Sequence, residues 1–397
     1  MSIKNDLSTL KTNIQNVKTK MYNNLTSKGV SVASTDTLDT MADKIDDITV
    51  GEGGGSGGSG NPFEVIGYDT LPTYIADGIA YGKTIYDNWD GSVSASYFNR
   101  FKGDTNIVFL PNIDLSNATD TRGMFANCIY LRYVPTLDFG NSTSLSEMFS
   151  GCTALVSVDL STWRPSKTKY TYNMFNRCNA LRTANLSGWS MPENTNAEGM
   201  FSHCTNLVSV NLDNWYLPKA DLNDMFYDCT SLVSVNFSTC QINNATTMNQ
   251  TFYNCSSLSA VNFTNMDTTK IKSYASTFFN CRNLEKITGH LSVKGFTKNI
   301  NYDTFAGWSY NDTLTYFTIK DIGFYSGMTS ANFSYLGKWG TGDATNKATL
   351  VNSLKTYSYD RSTAGYSTCT ITLSANSKKA LSSTDIAAIT AKGYTIA

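Results

Sequence analysis

Apolar residues recur along this chain with two superposed rhythms. On the larger scale, a Phe-x-x-Cys pair returns seven times, ending at Cys128, Cys152, Cys178, Cys204, Cys229, Cys255 and Cys281, at intervals of 24, 26, 26, 25, 26 and 26 residues. Self-similarity at such a period predicts supersecondary units stacked into an array, each burying its neighbour's apolar face. On the smaller scale, residues 149–163 illustrate one unit. Phe149 and Cys152 lie three apart, which suits one face of a helical turn. Leu155, Val158 and Leu160 follow as L-x-x-V-x-L, and the last two alternate with polar neighbours as on a half-buried strand. Period two turns Val158 and Leu160 inward. It turns outward a first row of Ser157, Thr183, Ser209, Ser234 and Ala260, and a second of Asp159, Asn185, Asn211, Asn236 and Asn262. A third row holds Ser161, Ser187, Asp213, Ser238 and Thr264. Eight residues after the leading Leu stand Trp163, Trp189, Trp215, Cys240 and Met266, where the coil turns back to its core. The tryptophans are therefore expected in the interior rather than as a ligand-stacking platform.

The flanks carry different patterns. Ile3, Leu7, Leu10, Ile14, Val17 and Met21 are spaced 4, 3, 4, 3, 4, an a/d heptad seam compatible with a trimeric coiled coil. Gly29 ends that helix, and a second short helix is expected at about residues 37–48. The run GEGGGSGGSG at 51–60 reads as a flexible linker. Five segments follow: a helical oligomerisation foot (1–50), the linker (51–60), an N-terminal cap (61–100), the repeat array (101–310) and a C-terminal cap (311–397). Phe101, Asp104 and Ile107 repeat the spacing of Phe125, Cys128 and Leu131, so a degenerate unit with Asp104 at the cysteine position joins the cap to the array. Near Phe305 the pattern decays, with Trp308 in the cysteine position. In the tail, a helix is expected at about 348–357 and a strand at 369–373. After them come a helix capped by Ser383 or Thr384 and ended by Gly393, and a last strand at 394–396. The predicted fold class is an α+β solenoid with caps at both ends, preceded by a short helical coiled coil.

Composition narrows the function. Net charge is −1 and charged residues make up 16% of the chain, against roughly a quarter in ordinary domains. Neither nucleic-acid binding nor a polybasic membrane patch is indicated. No apolar run approaches the roughly 20 residues of a membrane helix, so membrane insertion is not expected. The start, MSIKNDLSTLKTN, lacks the apolar core of a signal peptide. Seven of nine cysteines occupy one repeat position, which predicts a ladder of buried free thiols rather than disulfides.

Catalytic and metal-binding patterns are missing. The cysteines form no C-x-x-C pair, so zinc-site spacing is absent. His203 sits in a slot filled elsewhere by Asn127, Gly151, Arg177, Asp228, Asn254 and Asn280, and is read as a solvent-facing variant; His290 has no evident partner. The Gly/Ser linker formally matches G-x-S-x-G and G-x-G-x-x-G, but neither opens a helix. We expect no enzyme activity and no cofactor. The outward rows are the candidate ligand face, since stacked hydroxyls and amides suit glycan binding. The plainer expectation is that the amides bond along the stack and keep an exposed sheet soluble.

The unit MFxxCxxLxxVxLSxW resembles the BspA-type leucine-rich repeat, found in bacterial surface proteins and in bacteriophage structural proteins. The likeness covers about 101–310. The front segment, with KGVSVASTDTLDTMADKIDDI before the linker, resembles the virion-attachment foot of phage fibres, and the closing AAITAKGYTIA is similar to phage members too. The resemblance implies a non-enzymatic virion fibre or receptor-binding adhesin, assembled in the host cytoplasm. Such a fibre would trimerise through its foot, attach there to other virion proteins, and meet a host-surface glycan or protein. Two alternatives remain: a bacterial surface adhesin and a purely architectural decoration protein.

Overall fold

The computed structural model describes residues 96–397 except 106, 108, 109, 111–114, 133, 135, 136, 138–140, 220, 302–312, 335, 337 and 338. The heptad seam, the second helix, the linker, most of the expected N-terminal cap, Phe305 and Trp308 lie outside the described residues. All described residues fall in one of the chain's two compact units, Ala80–Ala397.

Each repeat contributes one short strand, and successive strands pair in parallel. β1 (Ser157–Asp159), β2 (Thr183–Asn185) and β3 (Ser209–Asn211) form one sheet. β4 (Ser234–Asn236), β5 (Ala260–Phe263) and β6 (Lys286–Gly289) form the next. The register matches the repeat, with Ser157 opposite Thr183 and Thr183 opposite Ser209. Between the two sheets the ladder continues as a single bond from Val233 N–H to the Val208 carbonyl, 3.1 Å. β7 (Leu291–Ser292) pairs with β8 (Ile319–Lys320).

The Phe-x-x-Cys half of the unit is not a helical turn. In residues 145–152, backbone donors alternate. Met148, Ser150 and Cys152 donate to the carbonyl three residues back; Leu145, Glu147, Phe149 and Gly151 donate to Tyr170, Tyr172, Met174 and Asn176 of the next unit. Consecutive β-turns thus replace the helix, because every second N–H is committed across the stack. Two positions per unit, two residues before and two after the Phe, have positive φ, the mark of a type II-like turn at its third residue. The first column runs Asn99, Gly123, Glu147, Asn173, Gly199, Asp224, Gln250, Ser276. The second runs Gly103, Asn127, Gly151, Arg177, His203, Asp228, Asn254, Asn280.

This corrects the reading of the His203 slot. Its tolerance reflects a left-handed backbone, where Gly, Asn and Asp are favoured, rather than free solvent exposure. His203 is itself half-buried, with Nδ1 3.2 Å from Asp228 Oδ2 and its ring edge-on to Tyr227. Arg177 is the residue in this column with the least reason to be there, at φ 61°. Arg177→Asn is expected to stabilise the array by about 0.5–1 kcal/mol by relieving that strain. Gly151→Ala should destabilise it by more, because its φ is 75° and a Cβ would meet Asn127 Oδ1 at 2.2 Å. Denaturant midpoints of the two variants should move in opposite directions.

One continuous core runs from Tyr97 to Tyr394. The repeat phenylalanines stack face to face from Phe101 to Phe278, with centroids 5.3–5.8 Å apart. The degenerate unit is part of this column, since Phe101 packs on Phe125 and Ile107 is fully buried. Trp163, Trp189 and Trp215 stack at 6.2 and 6.3 Å, all buried. The indoles of Trp189 and Trp215 donate to the carbonyls of Leu160 and Leu186. Cys240, next in that column, sends its thiol to the Leu212 carbonyl in the same way, 3.2 Å.

The C-terminal region closes the stack with a further three-stranded parallel sheet. β10 (Cys369–Leu373) lies between β9 (Ser330–Phe333) and β11 (Tyr394–Ile396). The expected helix at 348–357 begins earlier, as α1 (Ala344–Val351), because Asp343 caps it by accepting from the Asn346 amide. It continues as a π-helical turn, Asn352–Thr356. After α2 (Ala375–Lys379), α3 (Ser383–Ala391) is capped by Ser382 and not by Ser383 or Thr384. Only Ser382 has Asp385 three residues on to complete a capping box. Gly393, at φ 87°, ends α3 as expected. Arg361 is fully buried beneath this sheet, and its guanidinium donates to the carbonyls of Gly323, Tyr325, Ser326, Met328 and Ser367.

Candidate functional site

The outward rows lie where the strand period puts them, but they differ in what they are free to do. In the second row each side-chain oxygen turns back on its own chain. Asp159, Asn185, Asn211, Asn236 and Asn262 accept from the amides of Ser161, Ser187, Asp213, Ser238 and Thr264, at 3.0–3.3 Å. These Asx-turns end the strands. Along the stack one bond joins the row, Asn185 Nδ2 to Asp159 Oδ1 at 3.0 Å. Asp159 is accordingly held below the usual carboxylate range, first by the Ser161 hydroxyl and then by its amide.

The amide ladder expected along the strand rows does not form there, and a ladder of this kind runs instead along the turn edge. There Arg282 donates to Asn280, Asn280 to Asn254, and Asn254 to Asp228. Asp228 in turn meets His203. The left-handed slots project these short side chains along the stack. Sequence reasoning missed this column, although its Asn and Asp content was visible.

The first row is different. Ser157, Thr183, Ser209 and Ser234 are exposed, and no hydrogen-bond partner for their hydroxyls is found among the described residues. Parallel pairing sets neighbouring strands roughly 4.8 Å apart. Beside this row, Val156, Val208 and Val233 are 48%, 42% and 45% exposed. The face therefore combines spaced hydroxyls with small apolar patches. Ala260 and Asn262 are half-buried and extend the rows only weakly.

The seven ladder cysteines are buried free thiols, and so are Cys240 and Cys369. Each ladder sulfur donates to the Phe carbonyl of the preceding unit, from Cys128 to Phe101 (3.1 Å) through Cys281 to Phe252 (2.9 Å). That carbonyl also accepts a backbone amide from its own turn, as Phe125 does from Cys128. The geometry requires a protonated thiol, and burial pushes Cys128 and Cys178 up to about 12. Among the described residues no group of three His, Cys, Asp or Glu side chains could hold a metal ion. His290, part of no such group, lies at the end of the array, beside β7.

Comparison with known proteins gives the repeats a type. Residues 194–311 match the model of the BspA type leucine-rich repeat region, in six copies. Residues 94–215 match a family described as a Mycoplasma protein of unknown function, DUF285. No curated protein matches the chain. Among solved structures, similarity is found to a leucine-rich cell surface protein of Faecalibacterium prausnitzii, at 15% identity and TM-score 0.21, covering 64% of this chain and 78% of that one. It is also found to the functional domain of InlJ from Listeria monocytogenes, which includes a cysteine ladder, at 16% identity and TM-score 0.21. The latter match covers 68% of this chain and 65% of that one, slightly under two thirds of its length.

Proposed function

We propose that this array of BspA-type leucine-rich repeats is the non-enzymatic contact arm of a surface-binding protein. Its strand face would engage a glycan or protein on a host cell. The observation that carries the reading is the row Ser157, Thr183, Ser209 and Ser234, with hydroxyls exposed and without a partner among the described residues, the first three in register on paired strands. Such a row offers repeated weak contacts, which several arms on one carrier would multiply into avidity. The carrier we favour is a phage virion. Supporting this are the heptad seam from Ile3 to Met21, suited to a homotrimer, and the foot-like segment before the linker, suited to attachment to other virion proteins. The second reading, a bacterial surface adhesin, is favoured by the repeat type itself.

The test uses the full chain on a glycan array and on host cells, beside the double variant Ser209→Tyr/Ser234→Tyr. Both positions are exposed strand sites that accept an aromatic residue without disturbing the core. Binding is expected to fall by about tenfold or more, equivalent to about 1.4 kcal/mol. Undiminished binding by a folded double variant would remove the face as the contact surface. Mass spectrometry of purified particles against envelope fractions would separate the two carriers.

A further inference from the structure

Between the last strands of the array and the segment formed by α1 and the π-helical turn lies a cavity of about 290 Å³. Gly289, His290, Tyr316, Thr318 and Tyr357 line it, with Thr264 of the third outward row. Thr345, from α1, stands at its mouth. This volume is at the lower edge of the roughly 300–1,000 Å³ of small-molecule sites, so it suits one ring-sized unit rather than an extended chain.

The chemistry of the walls is specific. His290 Nδ1 is buried and has no hydrogen-bond partner among the described residues. A buried polar nitrogen left unmade costs about 1–3 kcal/mol, so a ligand that bonds it recovers that loss. Burial, then the nearby Lys320, hold the imidazole below its ordinary value against the opposing pull of Asp321, so it is neutral near pH 7. A neutral imidazole offers one donor and one acceptor. The ring stands edge-on to Tyr357, at 5.0 Å between centroids. Four threonines share the lining: Thr264 and Thr349 already donate, to Asn262 Oδ1 and the Asn346 carbonyl, and offer a ligand only lone pairs, while Thr318 and Thr345 can offer both donor and acceptor. Neither Lys286 nor Lys320 lines the cavity: each ammonium lies 4.8 Å from a tyrosine ring centroid, over Tyr316 and Tyr357 respectively. Gly289 lets its strand approach the preceding one closely, since at φ 86° a Cβ would strike the Phe263 backbone at 2.5 Å.

We propose that this cavity is a binding site for a single polyhydroxylated ring, a monosaccharide unit whose hydroxyl bonds His290 Nδ1. Hydroxyl groups are the ligand chemistry that matches a wall of mixed donors and acceptors without a committed charge. The site touches the strand face only at Thr264 and contains none of Ser157, Thr183, Ser209 and Ser234, so its test is independent of the one above.

Saturation-transfer NMR on the full chain with galactose, N-acetylglucosamine and glucuronic acid, each added alone, tests it. At least one sugar is expected to show saturation transfer and to shift the His290 imidazole nitrogen resonance. His290→Phe should weaken that binding about tenfold or more, the order of one hydrogen bond to a buried group. Thr345→Trp should abolish it by filling the mouth from an exposed helical position, so the test stands even if His290→Phe does not fold. Ser209→Tyr/Ser234→Tyr should leave it unchanged. Absence of transfer from all three sugars, or equal transfer in folded Thr345→Trp, would overturn the proposal.

Discussion

Raising the pH from 8 to 10 is expected to unfold the repeat array over a narrow interval. The cause is the thiol ladder. In the unfolded chain each thiol ionises near 8.5. In the fold, burial pushes Cys128, Cys178 and Cys240 up to about 12 and Cys369 to about 11, and raises the other five as well. A group whose folded value lies above its unfolded one contributes stability that is whole below the unfolded value. That stability drains away as pH rises toward the folded value. Each thiol then costs about 1.4 kcal/mol per pH unit. Seven together set a limiting slope on the order of 10 kcal/mol per pH unit, comparable with the whole stability of a domain. Because repeats unfold in neighbouring groups, the slope applies to the unit that opens together. Denaturant midpoints measured between pH 7 and pH 10 should be flat at first and then fall steeply. Cys178→Ala should lose one proton's worth of that slope. A midpoint that stays level to pH 10 would contradict a ladder of S–H donors.

The second large effect is expected at Arg361. Its guanidinium is buried without a carboxylate among its hydrogen-bond partners and binds five main-chain carbonyls. Arg361→Met keeps the apolar stem but takes the donors away from these carbonyls, at a cost of at least about 3 kcal/mol. Among the described residues Tyr325 alone of them keeps a backbone bond, from the Met328 amide. Arg361→Lys should not restore the loss, because an ammonium has three donors and no planar fork. The damage should stay local. Hydrogen exchange is expected to accelerate across 323–328 and 367–371, while the amides of the phenylalanine column keep their protection. Uniform acceleration along the whole array would show that cap and repeats open as one.

These two features were unequally legible in the sequence. The ladder follows from phase: a cysteine locked to the same step as Phe and Leu must share their interior, and the tryptophans follow by the same count. Arg361 left no trace, since a buried arginine looks like any surface arginine until its neighbours are known. The Phe-x-x-Cys spacing misled for a physical reason. Three residues is the return of a helical turn and also of a β-turn, and only the left-handed positions beside the Phe distinguish them. Asn99, Gly123, Asn173 and Gly199 in one column carried that signal. Period two placed Ser157, Thr183, Ser209 and Ser234 on the exposed side, whereas Ser161, Ser187, Asp213 and Ser238, beyond the strand ends, are only half-exposed. Which row is free could not be read, because Asx-turns depend on the bend after each strand. Nor could the His290 cavity, whose lining is drawn from four separate segments between Thr264 and Tyr357.

The left-handed columns carry one more implication. Asn99 lies against Gly123, Asn127 against Gly151 and Asn173 against Gly199, each asparagine oxygen 2.2–2.3 Å from where the next unit's Cβ would stand. A glycine unit therefore admits an asparagine unit before it, and a unit bearing a side chain there does not admit the same rotamer. Copies that look interchangeable are thus addressed to particular neighbours. Duplication or loss of blocks that keep these pairs intact would lengthen or shorten the arm freely, whereas random shuffling of single units would not, so the order of the copies is itself inherited information.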